Sequence, residues 1–346
     1  MLAYVMNEER QLVLREVEKP KETDDNLIVK IHKTSICGTD VRTYSKGSEK
    51  IAPPRVLGHE FSGTIAHLGK NVETDFQQGD RVLMAPAIGC GECWSCQTGH
   101  SNMCDNLQTI GFQYDGSFTE YIEIPLQSLK MGNLIKTPDT VTDEEASLVE
   151  PIGCALNAQK YVNVQKDDYV VVYGAGFIGC MHIELAKIRG ASKLIIVELA
   201  EVRARQACEF VPELIWIDPS KENTEERINE ITGGRGANVV IVANSVPSCQ
   251  VEAQKIAAKM GRISLFGGLV GESTGFIDSN AIHYKELQIS GVHATTPALM
   301  REILEMVEAK ELNLKKYIST EVSLTEIEKG FSAIIRDNAM KVVITP

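Results

Sequence analysis

The chain has 346 residues, enough for about two domains at ~150 residues each. Its 43% hydrophobic and 24% charged content excludes a disordered or collagen-like chain. Asp plus Glu number 47 against 35 Lys plus Arg, and the net charge of −12 lacks the basic footprint of a general nucleic-acid binder.

No apolar run reaches the ~18 residues of a membrane span, and the best stretch, Tyr169–Ile183, is broken by three glycines and a histidine. The opening residues lack the basic-then-apolar order of a secretory signal, so the expectation is a soluble, cytoplasmic protein. In chain order, residues 1–150 read as β-rich, with short alternating runs such as Asn26–His32 and Asp80–Met84 between Gly, Pro and Asp turns. From Asp168 the rhythm changes. Apolar strands are expected at Tyr169–Tyr173, Leu194–Val197, Leu214–Ile217, Val239–Ala243, Ile263–Phe266 and Leu287–Val292. Helices are expected between most of them, at Ile178–Arg189, Glu201–Phe210, Glu225–Thr232 and Gln250–Met260. Such alternation, with strands apolar throughout, predicts a doubly wound parallel sheet in an α/β fold. After Gly291 a helix (Pro297–Ala309), a strand (Tyr317–Val322), a helix (Leu324–Ile335) and a strand (Met340–Ile344) follow. This tail is too short for its own core and should return to the first domain.

The cysteines are clustered. Four of the nine, Cys90, Cys93, Cys96 and Cys104, fall within fifteen residues. An odd total so tightly grouped fits a disulfide framework poorly. The two-residue gaps let a tight turn aim successive thiolates at one tetrahedral zinc, in a closed, structural lobe spanning 89–105. An iron–sulfur cluster uses similar ligands.

The run Gly174-Ala-Gly176-Phe177-Ile178-Gly179 follows an apolar strand and opens a helix. In that setting Gly174 permits the turn, Gly176 admits a pyrophosphate and Gly179 allows close helix–strand packing, with the helix N–H groups facing the phosphates. Glu198 ends the next strand, where a carboxylate bonds ribose hydroxyls and repels a 2′-phosphate; NAD is therefore expected over NADP, with Arg203 near enough to soften the preference.

A third, dispersed set is Cys37 (in Cys37-Gly-Thr39-Asp40), His59-Glu60 and Glu150 before Pro151. A thiolate, an imidazole and one or two carboxylates suit a zinc with an open position. Taken singly, Cys37 reads equally as a small buried apolar group, His59 as a core histidine and Glu150 as a helix-start carboxylate.

With Gly116–Tyr121 (GSFTEY) added, these motifs, in this order along nearly the whole chain, resemble the zinc-dependent medium-chain dehydrogenase/reductase family, and within it the sorbitol (iditol) and threonine 3-dehydrogenase branch. The resemblance implies a partly open, co-chaperonin-like β-barrel catalytic domain (1–150 and 291–346) and a Rossmann domain (151–290). It implies two zinc ions per chain, the catalytic one on Cys37, His59 and a carboxylate in the interdomain cleft. Glu60 is expected as direct ligand, with Glu150 swinging in or holding the zinc-bound water. It also implies hydride transfer to NAD, with Thr39 taking the hydroxyl proton. Many relatives carry a histidine where this chain has Arg42, which cannot shuttle protons near neutral pH.

The substrate pocket is expected near Tyr44, Phe112, Tyr114, Phe118 and His293, whose hydrogen-bonding groups suit a polyol. A sugar-alcohol phosphate is the alternative suggested by Arg42, Lys46, Lys50 and Arg55, and threonine the one suggested by Cys37–Asp40. A non-catalytic zinc protein is the reading from another class. No nucleic-acid or membrane partner is expected, and the family resemblance implies a homodimer or homotetramer through edge strands near Leu287–Val292.

Overall fold

The structure, a computed structural model, describes residues 1–269 and 277–346. Chain contacts divide it into two units, Met1–Gly153 with Ala294–Pro346, and Cys154–His293.

In the second unit, six strands form one sheet in the order Ile215–Ile217, Lys193–Val197, Tyr169–Tyr173, Ala237–Val242, Ala257–Leu265, Gln288–Gly291, every neighbouring pair parallel. The chain starts in the middle, runs outward one way, then returns to build the other half: the doubly wound order that leaves a switch point at the carboxyl end of the first strand. Val170, Val171 and Val172 are all fully buried, which is why these strands read as continuous apolar runs. Helices Phe177–Ile188, Glu201–Phe210, Thr224–Thr232, Pro247–Ile256 and Ser279–Lys285 cover the sheet. The third of these shows local control of its ends. Asn223 caps it by accepting from the Glu226 N–H at 3.1 Å, and Gly233 stops it in the left-handed conformation (φ 61°).

The expectation of a helix over Gln250–Met260 is corrected. The helix ends at Ile256, and Ala257–Lys259 and Met260 belong to the strand Ala257–Leu265. Ala257 turns extended (ψ 138°) and pairs with Ala237. Meanwhile the Lys285 ammonium donates to the carbonyls of Gln254, Lys255 and Ala257 at 3.2, 2.7 and 3.0 Å, binding the oxygens a further helical turn would have used.

In the first unit, the nine-residue strand Leu27–Ser35 pairs antiparallel with Glu60–Leu68, Tyr121–Ile124 and Lys341–Thr345. A seven-stranded sheet grows around it, running from Leu134–Lys136 through Arg81–Met84 to the outer strand Ile318–Ser323, and a separate three-stranded sheet holds Leu12–Glu16, Leu2–Met6 and Arg55–Val56. The two outermost strands of the larger sheet do not pair with each other among the described residues, which leaves the barrel partly open. The tail contributes Phe331, Val342 and Ile344 to one buried cluster with Tyr4, Met6, Leu57 and Phe118. The shared core explains why the last 53 residues cluster with the first 153. Among the described residues no helix is long and apolar enough to cross a membrane.

Candidate metal centres and glycine loop

Cys37 follows the strand Leu27–Ser35 and caps the helix Gly38–Lys46. Its Sγ accepts from the Thr39 N–H at 3.5 Å, while the Asp40 carboxylate accepts from the Cys37 N–H at 3.0 Å. This reciprocal cap pins the Cys37 side chain at the helix N-terminus. Ser35 stands opposite Glu60 in the ladder, so the strand pairing itself brings His59 and Glu60 to Cys37. Gly58 makes the preceding bend at φ 90°; a Cβ there would meet the Phe118 ring at 2.6 Å.

One ligand atom each from Cys37, His59 and Glu60 lies within 4.8 Å of the others. His59 Nδ1 and Glu60 Oε1 are buried without a hydrogen-bond partner among the described residues. Asp40 Oδ1 stands 3.8 Å from His59 Nδ1. Burial opposes a charge on His59, but Asp40, Cys37 and Glu150 outweigh it and raise the imidazole well above its ordinary value. Burial likewise raises Asp40. Glu150, in the helix Val149–Tyr161, is buried and its charge is felt at His59, but it is not within the group of three. Two orphaned buried polar atoms beside a thiol cost free energy unless a cation compensates them, and sulfur, nitrogen and oxygen donors suit zinc.

Cys90, Cys93, Cys96 and Cys104 also gather within 4.8 Å. Backbone N–H groups of Cys90 and Asn106 point at the Cys104 sulfur (3.2 and 3.3 Å), and those of Glu92 and Cys93 at the Cys90 sulfur (3.4 and 3.3 Å). Backbone donors from Cys96 and Asp105 pull the Cys93 thiol down to about 6, while burial pushes Cys96 up to about 12. The N–H···S bonds favour the thiolate at Cys90 and Cys93, while burial holds Cys96 and Cys104 toward the thiol; four sulfurs this close are a tetrahedral donor set for zinc.

Gly174 makes its turn at φ 102°, and Gly176 begins the helix Phe177–Ile188 with no side-chain cap. A Cβ on Gly179 would fall 1.8 Å from the Gly174 carbonyl, whereas one on Gly176 would meet nothing within 4 Å. The helix thus begins without a side-chain cap, and among the described residues Gly176 leaves room for a close approach, as a bound pyrophosphate requires. Glu198 accepts from the Ala175 N–H at 2.7 Å and the Ala200 N–H at 2.8 Å, tying the acid to the glycine loop. Phe177 is buried, Ile178 and Arg203 half-buried. Leu199, next to Glu198 and 67% exposed, was not singled out in the sequence; a large apolar residue directly after the acid was its only signal.

The expected pocket residues separate. Phe112 lies 5.9 Å from the His59 ring. Phe118 is corrected from pocket to core: it is 0% exposed and meets Phe331 edge-on, its backbone bonding to Leu57 and Tyr4 so that the ring joins the tail's apolar cluster. Tyr44 stacks flat on Phe331 at 4.5 Å and is 38% exposed. Tyr114 is half-buried against the cluster of Leu27, Val29 and Phe61. His293 is exposed, in the second unit, its carbonyl accepting from Asn157 at 3.4 Å. Thr39 is half-buried beside Cys37, and Arg42, Lys46 and Lys50 are exposed. Arg55 is committed to Asp115 at 3.0 Å.

Residues 23–139 match the family model for the alcohol dehydrogenase GroES-like domain, and residues 178–309 that for zinc-binding dehydrogenases. A sorbitol dehydrogenase from Halalkalibacterium halodurans is 32% identical over 334 residues, 95% of this chain and 94% of that protein. An L-threonine 3-dehydrogenase from Bacillus velezensis is 30% identical over 352 residues, 100% of this chain and 99% of that one. The solved structure of an alcohol dehydrogenase from Escherichia coli CFT073 with NADH superposes with a TM-score of 0.90 at 28% identity, covering 100% of this chain and 99% of that one.

Proposed function

The chain belongs to the zinc-dependent medium-chain dehydrogenase family, in its sorbitol and threonine dehydrogenase branch, and we propose that it oxidises a secondary alcohol of a polyol to a ketose with NAD. It is a zinc-binding oxidoreductase acting on alcohols, and its cofactors are zinc and NAD. The observation that carries the reading is the gathering of half-buried Cys37 with buried His59 and Glu60, two of whose polar atoms have no hydrogen-bond partner among the described residues.

In this reading Cys37, His59 and Glu60 hold one zinc, with Glu150 as the nearby second carboxylate, and the four-cysteine lobe holds another as a structural staple. Bound there, zinc supplies polarisation of the substrate hydroxyl, and NAD supplies the acceptor for the hydride leaving its carbon. Thr39 Oγ1 takes the hydroxyl proton and passes it to solvent, since the exposed Arg42 stays protonated. Asp40 sets a negative charge 3.8 Å from His59 Nδ1, which favours positive charge at that side of the ring. Gly176 and the uncapped helix receive the pyrophosphate, Glu198 the ribose hydroxyls, and Leu199 gives the adenine an apolar wall. Glu198 also disfavours a 2′-phosphate by charge.

Gln288–Gly291 has one edge unpaired among the described residues and so offers a second copy a strand to pair with, which favours a homo-oligomer. L-threonine is the second reading, favoured by the relatives of that name. Arg42, Lys46 and Lys50, all exposed on or after one helix, favour including polyol phosphates. A screen of NAD reduction across polyols, their phosphates, threonine and simple alcohols tests the proposal, with metal analysis beside it. Polyols are expected to turn over, with about two zinc ions per chain. Turnover of threonine alone moves the assignment to the second reading, and no turnover of any of them refutes both.

A further inference from the structure

Lys341 opens the strand Lys341–Thr345, yet its ammonium is drawn inward to the Cys37 group. Nζ donates to Glu60 Oε2 at 2.5 Å and to the Ile36 carbonyl at 3.0 Å. Ile36 directly precedes Cys37, so one cation grips both the segment that carries the thiol and the carboxylate. The side chain is 5% exposed and that of Glu60 is 0% exposed. Stability does not account for the pair, because exchanging a buried ion pair for apolar groups is commonly neutral or favourable. Ser35 Oγ also bonds Oε2, so that oxygen is taken twice while Oε1 has no partner among the described residues.

We propose that Lys341 is a positioning residue for the metal centre: it fixes Glu60 with Oε2 engaged and Oε1 on offer, and offsets one of the negative charges gathered around the metal. The proposal rests on the zinc reading above. It makes Glu60 a one-oxygen ligand and keeps the metal electron-withdrawing, since each uncompensated anion near it would weaken its pull on a substrate oxygen.

The test uses the full chain with cobalt in place of zinc, whose visible absorption reports the ligand set. In K341M the cobalt band is expected to shift, with kcat down about tenfold and the substrate KM within about threefold. K341R should restore band and rate, because a second cation can grip the same oxygen. Should K341M fail to fold, E60Q/K341M, which buries no unpaired charge, carries the test against E60Q alone; matching cobalt bands support the proposal, and different ones overturn it. An unchanged band and rate in K341M, or a K341R as impaired as K341M, also overturns it. A wild-type chain that binds a single metal ion, at the cysteine lobe, brings down the zinc reading and the proposal together. Two ions in wild type with K341M indistinguishable from it brings down the proposal alone.

Discussion

Replacing His182 should make the protein markedly less sensitive to mild acid. The residue lies in the helix Phe177–Ile188, is 0% exposed, and has no hydrogen-bond partner on either ring nitrogen among the described residues. Its ring meets Phe266 edge-on at 4.9 Å. Burial lowers its pKa from 6.5 to about 3. Folding therefore holds the ring neutral, while the unfolded chain takes up a proton as pH falls through 6.5. Stability is full above that value and is lost between 6.5 and about 3. At ~1.4 kcal/mol per pH unit, going from pH 7.5 to pH 5 costs the wild type about 2 kcal/mol through this group alone. His182→Leu, of similar volume, removes the titration and two unpaired nitrogens, so it should be neutral or stabilising by about 1–3 kcal/mol at pH 7.5. Urea unfolding followed by Trp216 fluorescence in a Trp94→Phe background reads the sheet that His182 covers. The gap between variant and parent should widen by about 2 kcal/mol on acidification to pH 5. Parallel stability curves across that range would refute the reasoning.

Three further outcomes follow from single contacts. Gly179→Ala sets a methyl 1.8 Å from the Gly174 carbonyl, so NAD affinity measured by calorimetry should fall at least about tenfold, with zinc content unchanged. Glu198→Ala removes the carboxylate that ties the loop and repels a 2′-phosphate; the ratio of kcat/KM for NADP over NAD should rise about tenfold, and a fixed ratio counts against the ribose assignment. Asp143 is held at about 2: burial opposes its charge, but His32 at 3.0 Å and Arg81 at 2.8 Å outweigh that. Its contribution, at most about 1 kcal/mol given its exposure, is present above the ordinary carboxylate range and lost as pH falls toward 2, so Asp143→Asn should destabilise at pH 6 and converge on wild type near pH 2 in thermal melts.

The second unit was legible because its central strands, such as Tyr169–Tyr173 and Lys193–Val197, are buried on both faces and read as apolar runs, and turns and caps punctuate the helices. The end of the helix at Ile256 was not, because its stop signal is Lys285, almost thirty residues downstream. In the first unit, tight spacing announced the four cysteines, and adjacency announced His59 and Glu60. Phe118 misled because an aromatic in a bend carries no mark in sequence of what it packs against; here it faces the tail's core. Lys341 gave no sign at all in sequence. A lysine beginning a strand normally faces water, and only the pairing of that strand with Leu27–Ser35 carries it beside Glu60, 281 positions away.

The first unit is built from two stretches separated by the whole of the second. On the ribosome, residues 1–153 therefore emerge well before the strand that completes their sheet, a delay on the order of ten to forty seconds at ~5–20 residues per second. The uninterrupted unit 154–293 can finish first, while the Thr34–Ser35 end of the strand Leu27–Ser35 waits for its last partner strand. For that interval the nascent protein carries an acid whose cation has not yet been synthesised.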